Sequence, residues 1–208
     1  VVWGGGTGGV AAALQAAGLP IEMKDHTPDL GSCTTAGSRR RVPEIRRRRQ
    51  EARRRALKVK YLSGIYQRAS KLYKPGVLAV GSWGHQVVGV SPNQLQTYRG
   101  QAAQCSGWWN PGACSTTVLS LICSTKEDPI FRLRFEHLLS FYEMWLAVPP
   151  QDKMRIQGVW VAAVDLFLRI PASHRWRRVR GPVIATVAVL FDMEWVPTSP
   201  CEWQAEFG

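Results

Sequence analysis

Apolar residues recur along most of this chain at intervals of three and four, the spacing of one helical face, in stretches divided by prolines and glycines. The first long stretch holds Ala52, Ala56, Val59, Leu62, Ile65 or Tyr66, Ala69 and Leu72 on one stripe. Pro43 suits a first helical turn and Pro75-Gly76 a stop. The spacing therefore predicts a helix of about seven turns, packed through its C-terminal half. A short apolar helix is expected at 77–88. Ser91-Pro92 pairs an N-cap residue with proline at the first helical position and opens a helix to about Cys105. Another is expected at 113–123, after the turn Asn110-Pro111-Gly112.

Asp128-Pro129 opens the strongest amphipathic stretch, with Phe131, Phe135, Leu138, Leu139, Tyr142, Trp145 and Leu146 as its expected buried face, ended by Pro149-Pro150. Ile156, Trp160, Val161, Val164, Phe167 and Leu168 make the next stripe, closed by Pro171. A basic loop (His174, Arg175, Arg177, Arg178, Arg180) is expected before a last helix at 183–195, with a frayed tail after Pro197. Ahead of all this, residues 1–37 are Gly- and Thr-rich, with a short helix expected at 10–17 and a strand at 21–24. The fold class is mainly α: serial amphipathic helices behind a short Gly-rich, strand-bearing N-terminal segment. The composition shifts suggest 1–37 as an N-terminal remnant, 38–125 as a basic helical domain and 126–208 as a helical connector.

Charge changes this picture most. The chain carries 27 Lys+Arg against 15 Asp+Glu, a net +12. Twelve of the cations fall between residues 39 and 60: Arg39, Arg40, Arg41, Arg46, Arg47, Arg48, Arg49, Arg53, Arg54, Arg55, Lys58 and Lys60, against only Glu44 and Glu51. Like charges packed on one helix repel one another. They become favourable when phosphates neutralise them and release condensed counterions. The expected partner is RNA, DNA or their hybrid, with an acidic membrane surface second; a merely solvated charged face is the plainer alternative. The longest apolar run, 183–191, is too short for a bilayer, which needs about 20 residues, so no membrane span is expected.

Candidate chemistry is sparse. Gly4-Gly5-Gly6-Thr7-Gly8-Gly9 fits G-x-G-x-x-G, follows Val1-Val2-Trp3 and has Asp25 at a plausible distance for a ribose contact. A Rossmann-type NAD- or FAD-binding oxidoreductase fragment is therefore one alternative, although serial helices follow where strand–helix–strand units are required. His26, His85, His137 and His174 are scattered in sequence, and no Asp-Asp pair offers the close carboxylates of a polymerase palm. The five cysteines show no C-x-x-C spacing and read as free thiols of a reducing compartment, so no metal site is expected. Trp108-Trp109 could stack on bases but read better as core anchors. A start at Val1 with no initiator methionine leads us to expect an excerpt of a longer chain.

The run Lys24-Asp25 … Asp29-Leu30-Gly31 … Ala36-Gly37-Ser38-Arg39-Arg40-Arg41 resembles the end of the reverse-transcriptase region of non-LTR (LINE-like) retrotransposon proteins. There a Leu-Gly strand closes the palm and a basic helix begins the thumb. Ser82-Trp83-Gly84-His85-Gln86, Gly89-Val90-Ser91-Pro92 and Leu95 resemble the thumb helices that follow. Trp176, Gly181-Pro182, Ala185-Thr186, Leu190 and Trp195 are similar to a later block of the dinoflagellate elements, to which the resemblance is closest. It covers roughly residues 20–200, and Ser32-Cys33 departs from it where an apolar strand residue is usual. The resemblance implies RNA-directed DNA polymerase activity for a parent polyprotein, in a nuclear, intracellular setting. It assigns no catalytic residue and no cofactor to this chain, since the aspartates and their magnesium would lie in a palm upstream. A stand-alone basic interaction protein is the remaining alternative.

Overall fold

The computed structural model describes residues 16–18, 26–29, 32–35 and 43–205. The glycine motif at 4–9, most of the helix expected at 10–17, the strand expected at 21–24, Asp25, and Arg39, Arg40 and Arg41 lie outside the described residues. The described residues form nine α-helices and two antiparallel strand pairs, so the protein is mainly α. The first pair sets β1 (His26–Asp29) against β2 (Ser32–Thr35), with Asp29 opposite Ser32. Leu30 and Gly31, where the resemblance expects a strand, lie outside the described residues.

The basic helix α1 runs Pro43–Ile65 and ends about ten residues before the expected stop. Tyr66 is extended (φ −137°, ψ 102°). A 3-10 segment, Gln67–Leu72, and a widened π segment, Tyr73–Leu78, follow. Pro75-Gly76 therefore does not terminate the helical path. A proline inside a helix lacks an N–H and crowds the carbonyl one turn back, and the π widening absorbs both defects. Burial on α1 falls on Ala52, Ala56, Val59 and Ser63. Leu62 and Ile65, expected on the same stripe, are exposed because Ser63 continues the buried face and turns them away from it, and Tyr66 and Leu72 are exposed beyond the end of the helix.

The helix expected at 77–88 is split into α2 (Ala79–Ser82) and α3 (His85–Val88) by Gly84, which is left-handed at φ +79°. Gly81 lets α2 lie against its neighbours: a Cβ there would sit 2.9 Å from Tyr98 Cε1 and 3.0 Å from Ala52 Cβ. Helix α4 (Pro92–Gln104) begins with the Ser91–Gln94 capping box that its sequence announces. After α5 (Ser115–Ile122), Asp128 caps α6 (Pro129–Ala147) by accepting from Ile130 N at 2.8 Å and from Arg99 Nε at 2.8 Å.

Helix α7 spans Pro150–Arg169. The expected basic loop is instead a helix, α8 (Ala172–Arg178), set by Pro171 at its start. Helix α9 is shorter than expected, Pro182–Phe191. The expected frayed tail is a hairpin, β3 (Trp195–Ser199) with β4 (Glu202–Ala205), entered through Glu194 at φ +59°. Trp160 Nε1 donates to the Pro197 carbonyl at 2.9 Å and ties this hairpin to α7.

Two hydrophobic clusters result. The first joins α1, the π segment, α4 and α5 and ends at Leu133; the second runs from Phe141 through α7 to α9. Complete burial of Phe141 and Phe167 contributes about 1.5–3 kcal/mol each. The two clusters share α6, which gives Leu133 to one and Phe141 to the other, with buried His137 one turn from both. This corrects the sequence reading of α6: Phe131, Phe135, Leu139, Tyr142 and Leu146 are exposed, and the buried stripe is Leu133, His137 and Phe141. Helix α7 likewise buries Trp160, Ala163 and Phe167 while exposing Val161 and Leu168.

Candidate nucleic-acid interface

At about 100° per residue, the buried positions Ala52, Ala56, Val59 and Ser63 fix which way every arginine of α1 points. Arg47, Arg54 and Lys58 lie on the side directly opposite, spaced by seven and four residues, and all three are exposed. Arg46, Arg53 and Lys60, spaced by sevens, form a second exposed row along one edge of that side. At about 1.5 Å rise per residue, each row extends over roughly 16–21 Å. Arg55 is exposed too, and its Nη1 donates to the Gly76 carbonyl at 3.4 Å, tying α1 to the π segment.

Two carboxylates temper this face. Glu44 accepts from Arg47 at 2.7 and 3.1 Å and lies 3.3 Å from Arg48 Nε. The Arg47 hydrogen bonds hold its carboxyl below the usual glutamate range. Glu51 accepts from Arg55 at 2.8 Å, which lowers its carboxyl in the same way. Among the described residues, no ion pair engages Arg46, Arg53, Arg54 or Lys58. These four are the cations most available to an outside anion.

The remaining arginines of the run behave differently. Arg48 turns back on Glu44 and keeps only 20% of its side chain exposed. Arg49 points inward against Tyr98, and burial lowers its guanidinium from the usual arginine range. Of the twelve cations expected at the interface, seven of those in α1 point outward, Arg48 and Arg49 face the protein, and Arg39, Arg40 and Arg41 lie outside the described residues.

Trp109 is half-buried against the first cluster, with Lys60 Nζ 4.9 Å above its ring, as a core anchor should be. Trp108 is not an anchor: it is 63% exposed. A second grouping unread from the sequence joins His85 and His137. His137 is 1% exposed; its Nδ1 lies 3.0 Å from the His85 carbonyl and its Nε2 lies 3.1 Å from Thr186 Oγ1. His85 Nε2 lies 3.2 Å from Glu136, which also accepts from Arg132 Nε at 2.6 Å. The Ser82 carbonyl lies 3.0 Å from His85 Nδ1, and the Ser82 hydroxyl donates to the Leu78 carbonyl at 2.7 Å. This group is a polar joint between helices, in which His85 Nε2 lies near Glu136 without a hydrogen bond to it.

Among the described residues, no three His, Cys, Asp or Glu side chains gather as a metal site, and no helix is long and apolar enough to cross a membrane. The strands described are antiparallel pairs, without the parallel strand–helix–strand unit of a dinucleotide fold. No protein-family model, no curated protein and no solved structure matches this chain.

Proposed function

We propose that this chain is a thumb-and-connector segment of a retroelement RNA-directed DNA polymerase that grips template or heteroduplex through its phosphates. The observation that carries this reading is the outer face of α1, where Arg46, Arg53, Arg54 and Lys58 stand exposed and outside any ion pair among the described residues. Cations outnumber the two carboxylates on this helix, Glu44 and Glu51, and extend along some 20 Å of it, as phosphate contacts require. Such contacts position a duplex without reading its sequence. The reading assigns no catalytic centre to the chain, whose partners are RNA, DNA or their hybrid together with the rest of a parent polyprotein in the nucleus.

The test is binding of the full chain to an RNA–DNA hybrid and to duplex DNA across a salt series. All four cations are exposed, so each change to Ala should alter stability by no more than about 0.5 kcal/mol. The variant should lose affinity for every sequence alike. On duplex DNA its log–log salt slope should flatten by about 0.9 per lost contact, to about 3.6 for four. An unchanged slope, or a loss confined to particular sequences, would overturn the proposal.

A further inference from the structure

We infer that the cavity beside Trp108 is a binding site for a nucleotide, its base stacked on the indole and its phosphate held by Arg68, Lys71 and Lys74. This rests on the reading of the chain as a nucleic-acid-binding protein, and adds base-dependent recognition to the phosphate grip of α1. The cavity measures about 580 Å³, within the roughly 300–1,000 Å³ typical of small-molecule sites. Its floor is apolar, with Leu78, Ala102 and Leu119 from three elements. Its rim carries the three cations on the 3-10 and π segments that continue directly from α1.

The local structure explains why an indole stands at this rim. Gly107 adopts φ +79°, and a Cβ there would lie 3.0 Å from the Ser63 carbonyl, so the loop closes tightly on the end of α1. Trp108 N donates to Ser106 Oγ at 3.1 Å and holds the turn. The turn sends Trp109 inward and leaves Trp108 outside, at the cavity mouth. An exposed tryptophan loses hydrophobic stabilisation unless something covers it. A base is well suited, because every base offers a flat π-face and the cations beside it supply the phosphate contact.

Among the described residues, one unpaired acid shares the wall with these cations: Glu127, which accepts from Ser124 N at 3.2 Å as a helix cap, while Glu136 is engaged by Arg132, another wall residue. Three cations against that one carboxylate leave the rim positive. Arg68, Lys71 and Lys74 form no ion pair among the described residues. Lys60, the last cation of the Arg46–Arg53–Lys60 row, stands 4.9 Å over the Trp109 ring, so that row ends beside the residue that follows Trp108 in the loop.

The experiment titrates the full chain with a labelled oligo-dT, the same strand made fully abasic, and thymidine monophosphate as competitor. Removing the bases should weaken binding to the unaltered protein by roughly 5- to 150-fold, the range for one stacked base. Trp108→Ala should lose the same factor on the intact strand and become indifferent to abasic replacement, with Trp108→Phe restoring most of it. Lys71→Ala with Lys74→Ala should weaken both strands equally. Competition by the monophosphate would assign the site to free nucleotides, and competition by the strand alone would assign it to a unit of single-stranded nucleic acid. Equal affinity for intact and abasic strands, or an abasic effect that survives in Trp108→Ala, overturns the site. If binding is steep in salt and lost with the α1 cations but blind to bases, only the cavity assignment falls. If the base effect stands and the α1 substitutions change nothing, the α1 grip falls instead.

Discussion

Replacing His137 with Leu tests whether the polar joint inside α6 holds the two hydrophobic clusters together. Nδ1 faces the His85 carbonyl at 3.0 Å, so it must carry the proton and donate; Nε2 then faces the Thr186 hydroxyl at 3.1 Å. Leucine nearly matches the volume of histidine but makes neither bond. Neither partner is orphaned by the change, because the His85 carbonyl also accepts from Gly89 N at 2.7 Å and Thr186 Oγ1 can donate to the Pro182 carbonyl at 2.9 Å. Thr186 exchanges one acceptor for the other, so the net loss is the Nδ1 hydrogen bond, about 0.5–1.5 kcal/mol, without a further penalty for a stranded buried group. In urea, with a slope of about 2 kcal/mol/M, the unfolding midpoint should fall by roughly 0.3–0.8 M. His137→Asn keeps a donor near the Nδ1 position and should lose about half as much. If Asn proves as damaging as Leu, or Leu leaves the midpoint in place, the joint contributes nothing of this kind.

Two more outcomes follow from titrating groups. Burial is the largest influence on His85 and lowers it from its usual 6.5, against the opposing pull of Glu136, so the fold prefers the neutral ring. The unfolded chain then binds the extra proton first. Stability should be complete above pH 6.5 and decline as pH falls below it, levelling off once the folded protein also protonates; pH-dependent urea midpoints check this, and His85→Gln should remove that part of the slope. Cys114, at the start of α5, is lowered to about 7 by the Thr117 and Thr116 donors, whereas burial raises Cys105 to about 11. Iodoacetamide at neutral pH should therefore label Cys114 and spare Cys105, as peptide mass mapping of the native protein would report; equal labelling would contradict the geometry.

The helices were legible where start signals are local. Ser91-Pro92 and Asp128-Pro129 cap α4 and α6 as their side chains require, and the mainly α character followed from the three-and-four spacing. Faces were less legible. On α6 the larger side chains, Phe131 and Phe135, suggest one stripe, yet the chain buries Leu133, His137 and Phe141, because a histidine with two partners on other helices is as buriable as a leucine. Those partners are about 50 residues away in sequence, beyond any window of periodicity. The cationic face could be foreseen from Arg46 to Lys60, but not the inward turn of Arg49, which depends on Tyr98. Nor could the sequence separate Trp108 from Trp109, since the positive φ of Gly107 decides which indole the protein buries.

The two arginine runs of α1 differ in how they tolerate the loss of a residue. Arg46 to Arg49 lie ahead of the buried stripe. Deleting one of them leaves Ala52, Ala56, Val59 and Ser63 in phase and still puts an arginine against Tyr98, so only Glu44, Ile45 and the proline before them shift round the axis. Arg53 to Arg55 lie between Ala52 and Ala56. Dropping one there turns everything before it by about 100° relative to everything after it, and Ala52 swings out of the cluster. Two copying errors that change composition identically thus have opposite consequences for packing: a change of length in the first run leaves the core in place and alters only the outward cations, while the second run is held to three by the alanines on either side.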